Sequence, residues 1–291
     1  MKSILVVIFV SLFSLAFAFY AGVHSVEIFG VNAFLICAVI ALLVNWIAFV
    51  PSAIAQSDKY YDSFGAITYL STTGFAVWAV LEARGEIDTR AIVLAAMVAL
   101  WCIRLGTFLY IRIKAKGGTD SRFEKIKKKP TRFLAAWTLQ ALWVVLTASA
   151  ALIAITTTDP KPIGVFFWIG LVIWVAGITI EAVADAQKSK FKSDPDNKGD
   201  FIDVGLWKWS RHPNYFGEIT LWTGVLIIAI PVLQGLSWLA VISPLFVTLL
   251  LTKISGINLQ EEQAQERWGD DPEYQKYREN TPVLVPMPPK S

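Results

Sequence analysis

Charge is scarce in this 291-residue chain: 17% of its residues are Asp, Glu, Lys or Arg, whereas 55% are hydrophobic. With a positive mean hydropathy as well, the composition excludes an ordinary soluble globule and makes the bilayer the main solvent. Cysteine is nearly absent. Cys37 and Cys102 lie inside apolar segments and form no spaced pair, so neither a disulfide nor a thiolate metal site is expected, and no metal ligand is assigned. Strand alternation is missing from the apolar runs, which excludes a transmembrane barrel. Internal repeats, a Gly-rich dinucleotide fingerprint and a P-loop are all lacking, so a nucleotide would have to be held by transmembrane helices rather than by a Rossmann domain. The net charge of +3 is small and concentrated in one loop that suits anionic lipid; no nucleic-acid partner is expected.

What is present is a series of apolar segments, at roughly 3 to 21, 31 to 55, 63 to 81, 91 to 112, 132 to 156, 162 to 186, 214 to 231 and 235 to 254. Each is near the ~20 residues that a spanning helix needs. The expected fold is all-α, a polytopic helix bundle of seven to eight transmembrane helices forming a single membrane domain over residues 1–291. The connection from Arg112 to Arg132 carries Lys114, Lys116, Arg122, Lys125, Lys127, Lys128 and Lys129 against Asp120 and Glu124, an excess that marks the cytoplasmic side. By alternation both termini are cytoplasmic, with the 56 to 62 connection and the segment from Lys188 to Asn214. In a bacterium the location would be the inner membrane. Met1 to Ala21 also has the layout of a signal peptide, with Lys2, an apolar core and Ala16-Phe17-Ala18; a retained helix fits the eight-segment alternation better.

Polar groups in such a chain need a reason to be there. The densest set is Gly205-Leu206-Trp207-Lys208-Trp209-Ser210-Arg211-His212-Pro213-Asn214-Tyr215-Phe216-Gly217-Glu218. Pro213 suits a first helical turn, so the chain is expected to enter the membrane here with Arg211 and His212 at the water boundary. One helix earlier, Glu181 and Asp185 follow an apolar run four residues apart and share a face that Lys188 and Lys192 continue. Such carboxylates suit ribose and carboxamide groups, and the cations suit phosphates. Arg104, Thr107 and Tyr110 succeed one another at i, i+3, a face expected to point into the bundle. Asp62 opens the third segment beside Tyr60 and Tyr61, either as an N-cap or as a functional acid. The tail, with Glu261 and Glu262, is amphipathic enough to fold back as a cover, and the final Pro-rich residues are expected to be disordered.

The signature from Gly205 to Glu218 resembles that of the steroid 5α-reductase family and its bacterial relatives; its Arg-His-Pro-x-Tyr core is shared with sterol C14 reductases and isoprenylcysteine carboxyl methyltransferases. The resemblance runs from about Asp58 to Tyr277. It implies NADPH held by the later helices and cytoplasmic loops, about residues 104–277, with the apolar substrate entering between earlier helices. Carried over by position, it implies cofactor contacts from Arg104, Tyr110, Arg112, Arg122, Glu181, Asp185, Lys188, Lys192, Arg211, His212, Asn214, Tyr215, Glu218 and Glu262. The mammalian enzymes have a Gln-Glu pair whose Glu works with a Tyr on the steroid ketone. This chain has Tyr61-Asp62 as the closest equivalent, an acid without the amide, and it has one more N-terminal segment than the mammalian seven. The substrate therefore stays open.

The resemblance thus implies an NADPH-dependent reductase of a conjugated carbonyl, such as a 3-oxo-Δ4 steroid, drawn from the lipid phase. Asp62, Tyr61 and Tyr60 would polarise the carbonyl oxygen. A methyltransferase using S-adenosylmethionine on a lipidated thiol is the alternative from the same signature, and a non-catalytic sterol-binding membrane protein is a third. Natural substrate and oligomeric state are not legible.

Overall fold

In the computed structural model, residues 2–115 and 123–288 are described; Arg122 of the expected site lies outside them. The fold is all-α. Among the described residues, eight helices are long and apolar enough to cross a membrane. The chain forms two compact units, one of Met1–Phe167 with Ile228–Ser243 and the other of Trp168–Ile227 with Pro244–Ser291.

The first unit is built on α1 (Lys2–Ala21), α2 (Ala33–Ile54), α3 (Tyr61–Arg84), α4 (Thr89–Ala115) and α5 (Pro130–Thr156). Helix α5 is its axis, with α1 to α4 all packed on it. Its sequence is apolar on every side, as a helix with no solvent face must be, and Ala148, Ser149, Ala150 and Ala151 are fully buried. These small side chains let neighbouring backbones come close, which is how helices gain packing where hydrophobic transfer offers nothing. Between α1 and α2 lies a short antiparallel hairpin, β1 (Glu27–Ile28) and β2 (Val31–Asn32). Asn32 then caps α2 by accepting from the Leu35 N–H at 2.7 Å. The hairpin base is tied to the end of α5, where the Val26 N–H donates to the Thr156 carbonyl at 2.7 Å. Both cysteines are buried and reduced, Cys37 donating to the Thr72 carbonyl at 3.5 Å and Cys102 to that of Ala99 at 3.4 Å.

The second unit contains most of α6 (Val165–Ser193) and of α7 (Pro213–Ala229), followed by α8 (Ile242–Leu249), α9 (Ile257–Trp268) and α10 (Pro272–Asn280). Helix α6 runs about two turns past the apolar segment, because Glu181 to Lys192 continue its helical face instead of ending it. The last span is irregular: residues Gly235–Val241 are 3₁₀, and α8 passes into a π turn over Leu250–Ile254. Pro244, inside α8, cannot donate a backbone hydrogen bond.

Glycines at a seven-residue spacing bring α6 and α7 into backbone contact. A methyl group on Gly177 would lie 2.5 Å from the Leu221 nitrogen and 2.7 Å from the Gly217 carbonyl oxygen; one on Gly224 would lie 2.6 Å from the Gly170 carbonyl oxygen. Gly177 on α6 thus meets Gly217 on α7, and Gly224 on α7 meets the Gly170 carbonyl on α6, with no room for a Cβ at Gly177, Gly217 or Gly224.

Residues 281–288 are ordered, contrary to the disorder that the proline content of the tail suggests. The Arg211 N–H donates to the Pro282 carbonyl at 2.9 Å, and the Met287 N–H to that of Trp209 at 3.0 Å. Ser210 Oγ donates to the Leu284 carbonyl at 2.8 Å. Prolines do not prevent this pairing, since Pro282 only accepts and the tail N–H that donates belongs to Met287.

Candidate functional site

The glycine contact is what positions the polar groups of the second unit. With α6 and α7 touching at Gly177 and Gly217, a Cβ on Gly217 would meet the Glu181 nitrogen at 2.6 Å, so Glu181 lies directly against the first turns of α7. One turn further along α6, Asp185 accepts from the Asn214 amide at 3.2 Å. Both carboxylates are buried, with Glu181 2% and Asp185 5% exposed. Glu218, one turn after Asn214, is half-buried; Lys188 is half-buried and Lys192 exposed. The Lys188 ammonium sits over the Trp207 ring, 4.3 Å from its centre.

A second cluster forms where the chain enters α7. Glu261, from α9, bridges two signature side chains: Arg211 donates to it at 2.5 Å, and His212 Nε2 stands 2.8 Å from its other oxygen. Arg278 lies 3.9 Å from the same carboxylate. Burial lowers the His212 pKa below its ordinary value, with Lys188 and Arg211 adding to the effect and Glu261 opposing it. The ring is therefore neutral at pH 7. A carboxylate can only accept, so Nε2 carries the proton and Nδ1 is a bare acceptor. Nδ1 is buried and has no hydrogen-bond partner among the described residues. His212 also stacks on Tyr215 at 5.6 Å between ring centres, and the Tyr215 hydroxyl accepts from Gln260 of α9.

Aromatic and backbone contacts hold this cluster to α6. Trp207 donates to the Ala184 carbonyl at 3.0 Å, Gln187 accepts from the Leu206 N–H at 2.9 Å, and Tyr277 of α10 donates to the Trp207 carbonyl at 2.7 Å. Burial raises the Tyr277 pKa, so it keeps the proton it donates. Gly205 has a positive φ of 62°, and a Cβ there would strike the Gln187 amide. Glu262, the tail acid picked out in the sequence, is exposed; its neighbour Glu261 makes the contacts. An Arg-His pair at a membrane boundary calls for a carboxylate and the tail offers two side by side, but no local signal separates Glu261 from Glu262.

In the first unit, α3 begins at Tyr61 with Tyr60 at the cap position, so Asp62 stands in the first turn and is not the N-cap. It is half-buried. The Tyr61 hydroxyl donates to the Ala136 carbonyl at 2.9 Å, its ring wedged against Phe123 and Trp137. Tyr60 is exposed, with Lys59 5.2 Å from its ring centre. Asp58 is buried and paired with Lys127 at 2.7 Å. On α4, Arg104 is half-buried, but Thr107, Tyr110 and Arg112 are exposed. The expected inward face therefore narrows to Arg104, because three-residue steps drift around a helix of 3.6 residues per turn.

Eight apolar spans with buried carboxylates, an amide and an imidazole gathered at helix ends define a polytopic membrane protein with an internal polar site. The chain belongs to the family described as protein of unknown function (DUF1295), which matches residues 48–281 and falls in the steroid 5-alpha reductase superfamily. That superfamily is linked to reductases and methyltransferase-like enzymes. Over 160 residues the chain is 26% identical to an uncharacterized protein of Schizosaccharomyces pombe, covering 46% of each. Over 60 residues it is 37% identical to the probable O-methyltransferase ustE of Ustilaginoidea virens, covering 21% of each. The chain thus spans about half of the first relative and about a fifth of the second. No solved structure matches it.

Proposed function

We propose that this protein is an NADPH-dependent reductase of an apolar enone, such as the Δ4 double bond of a 3-oxo-steroid. The observation that carries the reading is the buried pair Glu181 and Asp185 with the half-buried Asn214 at the α6–α7 contact. Carboxylates that only accept, beside an amide that does both, match the hydroxyls of a ribose and the amide of a nicotinamide. The bare Nδ1 of His212 is a further acceptor in want of a donor such as a hydroxyl. Lys188 and Lys192 continue the acidic face of α6 and suit phosphates. The residues therefore fit the cofactor. By resemblance Arg104, Tyr110, Arg112, Arg122, Arg211, Tyr215 and Glu218 contribute too, with Glu261 taking the role first given to Glu262.

A reduced nicotinamide, when bound, supplies the hydride for the β-carbon of the enone. The protein's own part is to hold the ring and to offset charge on the carbonyl oxygen as an enolate develops. By resemblance, Asp62 is the acid assigned to that oxygen. Tyr61 already donates its proton to Ala136, which leaves Tyr60 as the neighbouring phenol. The substrate reaches the site from lipid, and the cofactor from the cytoplasmic side.

The similarity to an O-methyltransferase favours a second reading, methyl transfer from S-adenosylmethionine to a lipidated thiol. The same carboxylates would hold its ribose. Mass analysis of small molecules released from the purified protein separates the two: a nicotinamide dinucleotide supports reduction, and an S-adenosyl compound overturns it. Asp185→Asn combined with Asn214→Ala is expected to weaken NADPH binding at least tenfold while the folded yield holds.

A further inference from the structure

The stretch ahead of residue 48 lies outside the family match and carries its own feature, a groove of about 580 Å³ between α1 and α2. Leu12, Ala16 and Tyr20 line it from α1, Leu35 and Val39 from α2, and Val31 from the hairpin. From Leu12 to Tyr20 is eight residues of helix, ~12 Å. We propose that this groove seats one acyl chain of a bilayer phospholipid, with Phe29 anchored in the headgroup layer beside it. The proposal rests on the membrane-spanning fold and not on the catalytic reading.

The occupant follows from the surface that the groove joins. Helix α1 buries only Val10, Ser14, Ala18 and Ala21 among its residues, while Leu5, Ile8 and Phe9 are exposed along the rest of it. That exposed face is tenable only in lipid, and the groove is its concave continuation. The Tyr20 hydroxyl is the one polar side-chain group among the residues lining it. A charged or multiply hydrogen-bonding ligand would find a single hydroxyl there, whereas a flexible hydrocarbon loses nothing. Near Val31 the composition changes to Glu27, His24 and Asn32, groups suited to the headgroup level.

The hairpin tip gives the second, independent observation. Phe29 and Gly30 both have positive φ, 55° and 75°, the geometry of a two-residue turn that favours Asn, Asp or Gly. A phenylalanine there is strained, and this one is 96% exposed. Phenyl rings of this kind bury themselves at the boundary of headgroups and chains.

The test reconstitutes the full chain into phosphatidylcholine vesicles in which some acyl chains carry a diazirine, followed by irradiation and peptide mass mapping. Adducts are expected on residues 12–20 and 31–39 at several times the level found on the exposed α4 residues Ile92, Leu100 and Ile103. Ala16→Trp, which fills the groove, should remove that excess and leave the α4 adducts unchanged; Val39→Trp serves if the first variant fails to fold. Phe29→Gly, which relieves the turn, should lower the groove adducts at least twofold. Even labelling of α1, α2 and α4, or an excess that survives both tryptophan variants, overturns the acyl-chain site. Full groove labelling in Phe29→Gly overturns the anchor.

Discussion

His212 combines burial, a carboxylate on one nitrogen and a bare second nitrogen, so its protonation is coupled to folding. Burial holds its folded pKa below the ordinary 6.5. Between the two values the unfolded chain binds more protons, so stability rises with pH there. The contribution is full above about pH 6.5 and declines as pH falls toward the folded value. The melting temperature of the parent in detergent is therefore expected to fall between pH 7.5 and pH 5, and His212→Gln should flatten part of that slope; identical slopes would count against a neutral buried ring. Asp62 permits a second test at this scale. Its carboxylate stands in the first turn of α3, where a negative charge contributes a helix-terminus interaction of ~0.3–1 kcal/mol that Asn forfeits. As an acid it has no such substitute. Turnover of a Δ4-3-ketosteroid by Asp62→Asn is expected to drop ~10² or more with the fold intact, and turnover within a few fold of the parent would remove the role. The acids Glu181 and Asp185 were legible in the sequence because a four-residue spacing below an apolar run admits few explanations. Glu261 was not, since its partners lie 49 and 50 residues away and nothing local distinguishes it from Glu262.

Among elements, the α6–α7 pair shows how backbone geometry sets chemistry. Asp185 reaches Asn214 because glycines at both crossing points let the helices touch. Gly177→Ala forces a methyl against backbone atoms that cannot rotate away, and overpacking of this kind costs ~1–3 kcal/mol. Gly74 in α3 has nothing within 4 Å of a Cβ; there alanine should be neutral or stabilising by up to ~1 kcal/mol. Thermal unfolding in detergent compares the two, and NADPH binding should weaken only in the first. If both variants melt alike, the contact is looser than its distances imply. Most spans were readable from hydropathy to within about three residues, whereas α6 continues to Ser193, seven residues past its expected end. The π turn after α8 and the ordering of the tail were not, because both depend on which carbonyls the neighbouring elements leave available.

For the whole molecule, the fold class followed from composition, whereas the division into two units did not. Helices on both sides of the boundary are equally apolar, so hydropathy carries no mark of it. The assignment of sides rests on the lysine-rich connection after α4, and it yields a direct expectation. Cysteines introduced at Lys198 and Glu279 should react with a membrane-impermeant maleimide only after the cells are opened, and one introduced at Glu86 should react in intact cells. The reverse pattern would invert the topology. Such mapping usually begins by stripping a protein of its own thiols. Here both native thiols are buried within helices, so the natural chain is already a silent background, and each reporter can be read against it without altering the core.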